Sequence, residues 1–443
     1  MLFHKKDIVK LMLPLVLEQI FNALVGTFDT IMVSNVSEAA IAGVANVDAV
    51  AMLLIQFLAA LSTGGTVICA QYIGKGDNEN ACIAANQLVS AATLLSGVLL
   101  LLGTVLCRPI LGLFYPDAAP DVMRCSVTYL FICAFSFPML AIFNSCAGIF
   151  RATGNSAVPM QVSVLMNVIN VGGNALCIYG LGMGVEGVAI PTLVSRTVAA
   201  VVLATLCSRK RQRVHITRSL RAYRLRWDMI RRVLHIGLPN GVENSLFNLG
   251  KIMVQSLVTS LGTTVLAGYS VAQQMAGYII LPGLALGIGL TTMVGQCMGA
   301  GRPEEAKKYV RNIVAVNYCI ILALIVIIYF TMDRFVGLYV SLSPAGAEVT
   351  KQLIWWYDIF VLIWPIGFTI PTCLRAAGDV RFCMIIAVVS MWVFRIGAAY
   401  LLVKCTAVGA LGIYFGMFLD WLFRAVVFGI RYRRNKWTQI KVI

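Results

Sequence analysis

Charge is scarce in this chain of 443 residues. Asp, Glu, Lys and Arg make up 12% of it, against roughly 25% in an ordinary soluble domain, so a water-facing globule is excluded. Histidine is scarcer still, with only His4, His215 and His235. There is no HExxH, no Asp-rich metal motif, no Walker loop and no nucleophile set beside a base, which removes the patterns that mark zinc hydrolases, nucleotide-driven machines and nucleophilic enzymes. The thirteen cysteines include no CxxC or other paired spacing. Scattered through apolar runs, they read as small core residues, not as a disulfide framework or thiolate metal ligands. Acid is the rarer sign, 19 residues against 35 basic ones for a net charge of +16.

What is abundant is hydrocarbon: 59% of the residues are hydrophobic and the mean hydropathy is +0.85. Runs such as "AVAMLLIQFLAALSTGGTVICA", "SAATLLSGVLLLLGTVL" and "IVAVNYCIILALIVIIYF" are each long enough to cross about 30 Å of bilayer core as a helix. About twelve such spans are predicted, with no stretch left to fold in water. If both ends lie on one side, about 26 of the 35 Lys and Arg fall in the segments of that side. Roughly five (Arg108, Arg124, Arg334, Lys351, Lys404) fall opposite, which is the positive-inside bias and predicts cytoplasmic termini in a plasma membrane, or an inner membrane in a Gram-negative cell. The basic run "SRKRQRVHITRSLRAYRLRWDMIRR" is read as a topology signal at a joint, and no nucleic-acid partner is expected. The apolar stretch after "MLFHKK" is too long for a secretory leader and is expected to stay as an anchor.

The chain repeats itself. "CAQYIGKGDNENA" aligns with "VGQCMGAGRPEEA" at a shift of 225, which also pairs Pro14 with Pro239, Glu18 with Glu243 and Gly187 with Gly412, while "FRATGN" meets "LRAAGD" at 224. One shift held from end to end predicts two homologous six-helix lobes: residues 1–207, a basic cytoplasmic linker over 208–229, and residues 230–443 with a basic tail. Six is even, so both lobes enter the bilayer in the same sense. The expected fold is therefore an all-α polytopic membrane protein of twelve transmembrane helices with parallel pseudo-twofold symmetry, as in parallel-repeat transporters.

Across nearly its whole length the chain resembles the multidrug and toxic compound extrusion (MATE) family. "LPLVLEQIFNALVGTFDTIMVS" resembles that family's first helix. "QYIGKGD" and "GQCMGAGRPEEA" resemble its paired cytoplasmic loops, and "FRATGNSAVPM" with "LRAAGD" its later paired connections. The resemblance implies a V-shaped bundle that exports amphipathic, often cationic, organic compounds in exchange for Na⁺ or H⁺. It places Asp29 on the first-helix acid that carries the coupling ion and Pro14 on the kinking proline of that helix. In the fifth helix it gives Asn170, with Asn174 where some members have a second acid. Phe247 stands where others have a glutamate.

The intramembrane polar residues point the same way by depth alone. At 1.5 Å per residue Asp29 lies about 28 Å along its helix, and Asn170 and Asn174 about 17 to 23 Å along theirs, so all three reach the outer half. Asn170 and Asn174 share one helix face, and a carboxylate with two amide carbonyls can replace the hydration of Na⁺, while a desolvated Asp29 alone suits a proton. In the second lobe Lys251, Arg395 and Asp420 lie within spans, and an Arg395–Asp420 pair is expected because an isolated charge there is costly. Glu18 and Glu243, four residues after their prolines, are candidates to line the inner cleft. Phe28, Phe57, Met253, Met293 and Trp364 are candidates for an adaptable apolar wall. The expected activity is secondary antiport of a small organic solute by a monomer with no cofactor beyond the coupling ion. The alternatives are a lipid-linked precursor flippase and, more remotely, an intramembrane lipid-modifying enzyme.

Overall fold

The computed structural model describes residues 2–443 apart from 34, 35, 117, 218–223, 338, 340, 341 and 407, and describes no side chain for 27–31, 33 and 38. Among the described residues there is no strand. The first six-helix repeat comprises α1 (Lys5–Val33), α2 (Glu38–Lys75), α3 (Asn78–Val105), a short α4 (Cys107–Phe114), α5 (Pro120–Ala134), α6 (Ser136–Ala152), α7 (Ala157–Ala175) and α8 (Glu186–Cys207). The second comprises α9 (Trp227–Thr259), α10 (Thr263–Gly299), α11 (Pro303–Gly337), α12 (Pro344–Phe360), α13 (Trp364–Ala376), α14 (Val380–Val389), α15 (Ala398–Cys405) and α16 (Ala410–Arg433).

Ten helices among the described residues are apolar and long enough to span a bilayer, and α5 with α6, bent by 45°, make an eleventh span. The twelfth long helix is α9, the counterpart of α1. Its Glu243, Asn244, Asn248 and Lys251 make it the most polar of the set. The repeat predicted from the sequence is visible in the breaks as well. A single span splits into α5 and α6 in the first half and into α12 and α13 in the second, where a 3₁₀ turn at Val361–Ile363 joins them. The repeated loop glycines are helix stops. Gly76 and Gly301 sit at φ 83° and 68°, a left-handed conformation in which any Cβ would crowd the backbone.

The chain forms two compact units, residues up to Gly241 and residues 242–442. They part inside α9 instead of at the 229/230 boundary expected from the repeat. The first turns of α9 stay with the first unit because two backbones meet there: a Cβ on Gly64 would lie 2.7 Å from both Gly237 N and Val233 O. Arg232 Nη1 also donates to the Tyr72 hydroxyl at 2.6 Å. The basic linker is likewise fixed to the first unit. Asn86 Oδ1 accepts from Thr217 N at 2.9 Å, while Gln87 accepts from Arg226 N and donates to Arg224 O, both at 2.8 Å.

The contact at Gly64 supplies a test of helix packing. Gly64→Ala is expected to destabilise the protein by about 1–3 kcal/mol, because backbone atoms cannot move aside as a side-chain tip can. Gly97→Ala on α3, where a Cβ would meet nothing within 4 Å, should be neutral or slightly stabilising. Thermal unfolding of the two detergent-purified variants compares them directly, and equal midpoints would remove the close-approach account.

Each unit has its own core. The first is built on Val47, Leu111, Leu130 and Phe137, and the second on an aromatic cluster containing Tyr357, Phe360, Trp364, Tyr414 and Trp421. Trp364, a candidate for a cavity wall, is therefore a core residue with 2% exposure, and Met293 is fully buried. Phe57 and Met253 are half-buried.

Candidate functional site in the first lobe

A cavity of about 350 Å³ opens among α1, α2, α5, α7 and α8. Its apolar lining includes Val25, Ile41, Val44, Met166 and Val188, and its polar lining Asp48, Tyr129, Asn167, Asn170, Thr192, Ser195 and Arg196. Asp48 and Arg196 each stand ten residues from the starts of α2 and α8, and Tyr129 nine from the start of α5, which is about 15 Å at helical rise.

Asn170 is buried and donates from Nδ2 to Thr192 Oγ1 at 3.1 Å, and the Thr192 hydroxyl passes its own proton to Val188 O at 2.9 Å. The α7 and α8 walls are thus joined at the cavity. Asn174, one turn beyond, is wholly buried. Asn22 ties α1 to α7 by accepting from Asn167 Nδ2 at 2.9 Å and Ser163 Oγ at 3.3 Å. The Asp29 and Phe28 side chains lie outside the described residues.

Sequence reasoning missed Asp48, Tyr129, Thr192, Ser195 and Arg196. The Tyr129 hydroxyl stands 3.5 Å from Asp48 Oδ1. Arg196 Nη1 donates to Ser136 Oγ at 2.7 Å, and Ser136 donates onward to Cys133 O at 2.6 Å. The signal was available, since Asp48 and Arg196 are charges inside predicted spans and the rule that singled out Asp29 applies equally to them.

The paired glutamates are held within their own lobes. Arg151 Nη2 lies 2.7 and 2.9 Å from the two oxygens of Glu18, and Arg375 Nη1 lies 2.8 and 3.0 Å from those of Glu243. Both arginines come from the repeated "FRATGN" and "LRAAGD" segments, so the repeat conserves a whole ion pair across its two halves. These contacts occupy the carboxylates that the sequence suggested for the cleft.

In the second lobe Asp420 is wholly buried. Its Oδ1 accepts from Arg424 Nε at 2.7 Å and from the Ser390 hydroxyl, and its Oδ2 lies 3.5 Å from Arg395 Nη1. Arg424 Nη2 also reaches Ala387 O at 3.0 Å. This anchors α16 beside the point where α14 widens into a π turn, Ser390–Gly397. Lys251, Arg395 and Arg424 all approach the Phe247 ring, at 5.1, 5.5 and 5.5 Å from its centroid, within cation–π range. Asp358 on α12 is a further carboxylate that the sequence reading passed over, and its buried Oδ1 has no hydrogen-bond partner among the described residues.

The family model described as MatE matches residues 14–176 and, at the same shift of 225, residues 239–401. The chain belongs to the MatE family. MatE proteins are transporters, so this is a multi-pass membrane transporter and not an enzyme. The probable multidrug resistance protein NorM of Thermotoga maritima is 26% identical over 99% of this chain and 94% of its own length. The probable multidrug resistance protein YoeA of Bacillus subtilis is 24% identical over 85% of this chain and 82% of its own. Among solved structures, an outward-facing multidrug resistance MATE transporter of the MOP superfamily superposes with a TM-score of 0.88 at 23% identity, covering 98% of this chain and 97% of that one. A MOP-superfamily transporter from Pyrococcus furiosus, described as having a binding pocket of reverse polarity, gives 0.89 at 23% identity with the same coverage. These likenesses show that the MatE fold extends over essentially the whole chain.

Proposed function

We propose that this chain is a secondary antiporter that exports small amphipathic organic compounds across the plasma membrane in exchange for Na⁺ or H⁺, with both termini cytoplasmic. The observation that carries this reading is the first-lobe cavity. It is large enough for a small drug-like molecule, apolar on much of its wall, and lined elsewhere by hydrogen-bonding groups. The naming of its relatives as multidrug resistance proteins supports the class of cargo.

Asp29, Asn170 and Asn174 are the proposed coupling residues. Asn22 ties α1 to α7, and Asp29 stands farther along the same helix. A carboxylate beside the two amides offers oxygen ligands to Na⁺, and the carboxylate alone can carry a proton. Either cation is cargo of the exchange, and no resident cofactor is invoked. The repeats 1–207 and 230–443, joined by 208–229, are the proposed moving bodies of a monomer. Ion and solute can drive alternating access only if each binds the two arrangements with different affinity.

Flux into liposomes reconstituted with the purified protein tests this. A Na⁺ gradient and a pH gradient are imposed separately, with cationic, neutral and anionic dyes. Transport of at least one dye under one of the two gradients is expected. If neither gradient moves any dye above empty liposomes, the antiport reading is wrong.

A further inference from the structure

Like charges crowd the first turns of α1. Lys6 and Lys10 stand one turn apart on one helix face, with Lys5 just before them, and cations at that spacing repel. The acid of the first turn is otherwise engaged, since Asp7 Oδ2 accepts from His4 N at 2.9 Å. Among the described residues no carboxylate oxygen lies within 4 Å of Lys5, Lys6 or Lys10, and all three side chains are exposed. The equivalent entry of α9 is covered: Arg232 donates to the Tyr72 hydroxyl, and the Gly237 backbone packs on Gly64. That of α1 is left open.

The three lysines line a groove of about 520 Å³ with Val9, Leu13, Pro14 and Ala157, the first residue of α7. One end of it is cationic and the other is hydrocarbon. Val9 and Leu13 are 58% and 55% exposed, and Leu17, Ile20 and Leu24 continue the exposed apolar line along α1, about 22 Å from Val9 to Leu24. One leaflet is about half of a 30 Å core, so the line is long enough to carry one acyl chain. We propose that this groove binds an anionic phospholipid, with its phosphate held among Lys5, Lys6 and Lys10 and one acyl chain laid along Val9, Leu13 and the residues that follow. A topology signal requires only a number of lysines, whereas a lipid site requires an arrangement. Ammonium groups at the head of an open apolar strip match a phosphate at the head of a hydrocarbon chain. A water-soluble polyanion would leave Val9 and Leu13 bare. The lysine stems add their own methylenes to the wall while the charged tips stay at the headgroup level, and the free N–H groups of the first turn of α1 favour an anion there. The inference does not depend on what the protein exports.

The probes are phosphatidylglycerol and phosphatidylcholine carrying the same fluorescent acyl chain, and their binding to the full chain in detergent micelles is read by fluorescence polarisation. The wild-type protein is expected to bind the anionic lipid about tenfold more tightly, a fraction of the roughly fivefold per lysine that an unscreened anionic surface supplies. Lys6→Gln with Lys10→Gln should bring the preference to within about twofold and leave phosphatidylcholine binding unchanged, while Lys6→Arg with Lys10→Arg should keep it. Lys75→Gln with Lys210→Gln, which removes two exposed charges outside the groove, should also keep it. Equal binding of the two lipids by the wild-type protein overturns the inference, and so does an equal loss in the Lys75 and Lys210 variant, which would mean that diffuse charge and not the groove attracts the lipid. Glycerol phosphate that displaces the lipid at the lipid's own concentration would make this a site for free phosphate and would overturn it as well. Location is read independently in vesicles of phosphatidylcholine and phosphatidylglycerol at four to one, with a photoreactive group in the phosphatidylglycerol acyl chain. Crosslinks are expected on the peptide carrying Val9 and Leu13, and none there would refute the placement.

Discussion

Asp29→Asn is expected to reduce ion-driven export by roughly 5- to 150-fold, the range spanned by ordinary coupling free energies of about 1–3 kcal/mol. The substitution keeps the size of the side chain and its capacity to accept a hydrogen bond but removes the charge that a Na⁺ or a proton would neutralise there. Without that charge the ion no longer distinguishes one arrangement of the repeats from the other, so a gradient has nothing to act on. Solute binding in detergent should persist, because the cavity groups at Asn170, Thr192 and Arg196 are untouched. Asp48 supplies the competing outcome. If Asp29→Asn retains full gradient-driven flux while Asp48→Asn loses it, the coupling carboxylate is on α2. Flux assays of the two variants side by side, under Na⁺ and pH gradients in turn, separate these results.

Much of the architecture was legible because hydrophobic length and internal repetition are properties of the sequence itself. The shift of 225 defines both halves in the sequence, and it reappears in the two stretches matched by the family model and in the left-handed caps at Gly76 and Gly301. Pairings between distant helices were less legible. Glu18 and Arg151 are 133 residues apart, and nothing in periodicity says which buried acid meets which buried base. The hint was that both members recur together, Glu243 with Arg375, so a pair conserved through a duplication could have been proposed as a unit. The cavity charges were missed for a different reason. Asp48 and Arg196 each stand as a single charge between the end residues of α2 and α8, and the family resemblance marks a different acid, Asp29. The close approach at Gly64 is invisible to sequence alone, because a glycine in an apolar helix reads the same whether it faces lipid or another backbone.

The largest stability effect should come from the second lobe. Asp420→Asn is expected to destabilise the protein by about 3–5 kcal/mol, the usual consequence of leaving a buried charge without its partner. Two guanidiniums depend on this one carboxylate. Arg424 and Arg395, 3% and 7% exposed, would both face the Phe247 ring with no anion within the lobe's described contacts, and cation–π attraction recovers only part of the loss. The Ser390 hydroxyl would lose its carboxylate acceptor as well, loosening α16 from the π turn after α14. Thermal unfolding in detergent measures the loss. A second variant shows where the energy resides: Asp420→Leu combined with Arg395→Met and Arg424→Leu replaces all three charges by apolar groups of similar length, and should recover much of the deficit because the cost lies in unpaired charge and not in lost attraction. A single substitution that unfolds at the wild-type temperature would mean that water reaches Asp420 in the membrane-bound protein. The second-lobe charges would then be accessible to cargo, and the division between a fixed ionic core there and an open polar chamber in the first lobe would have to be given up.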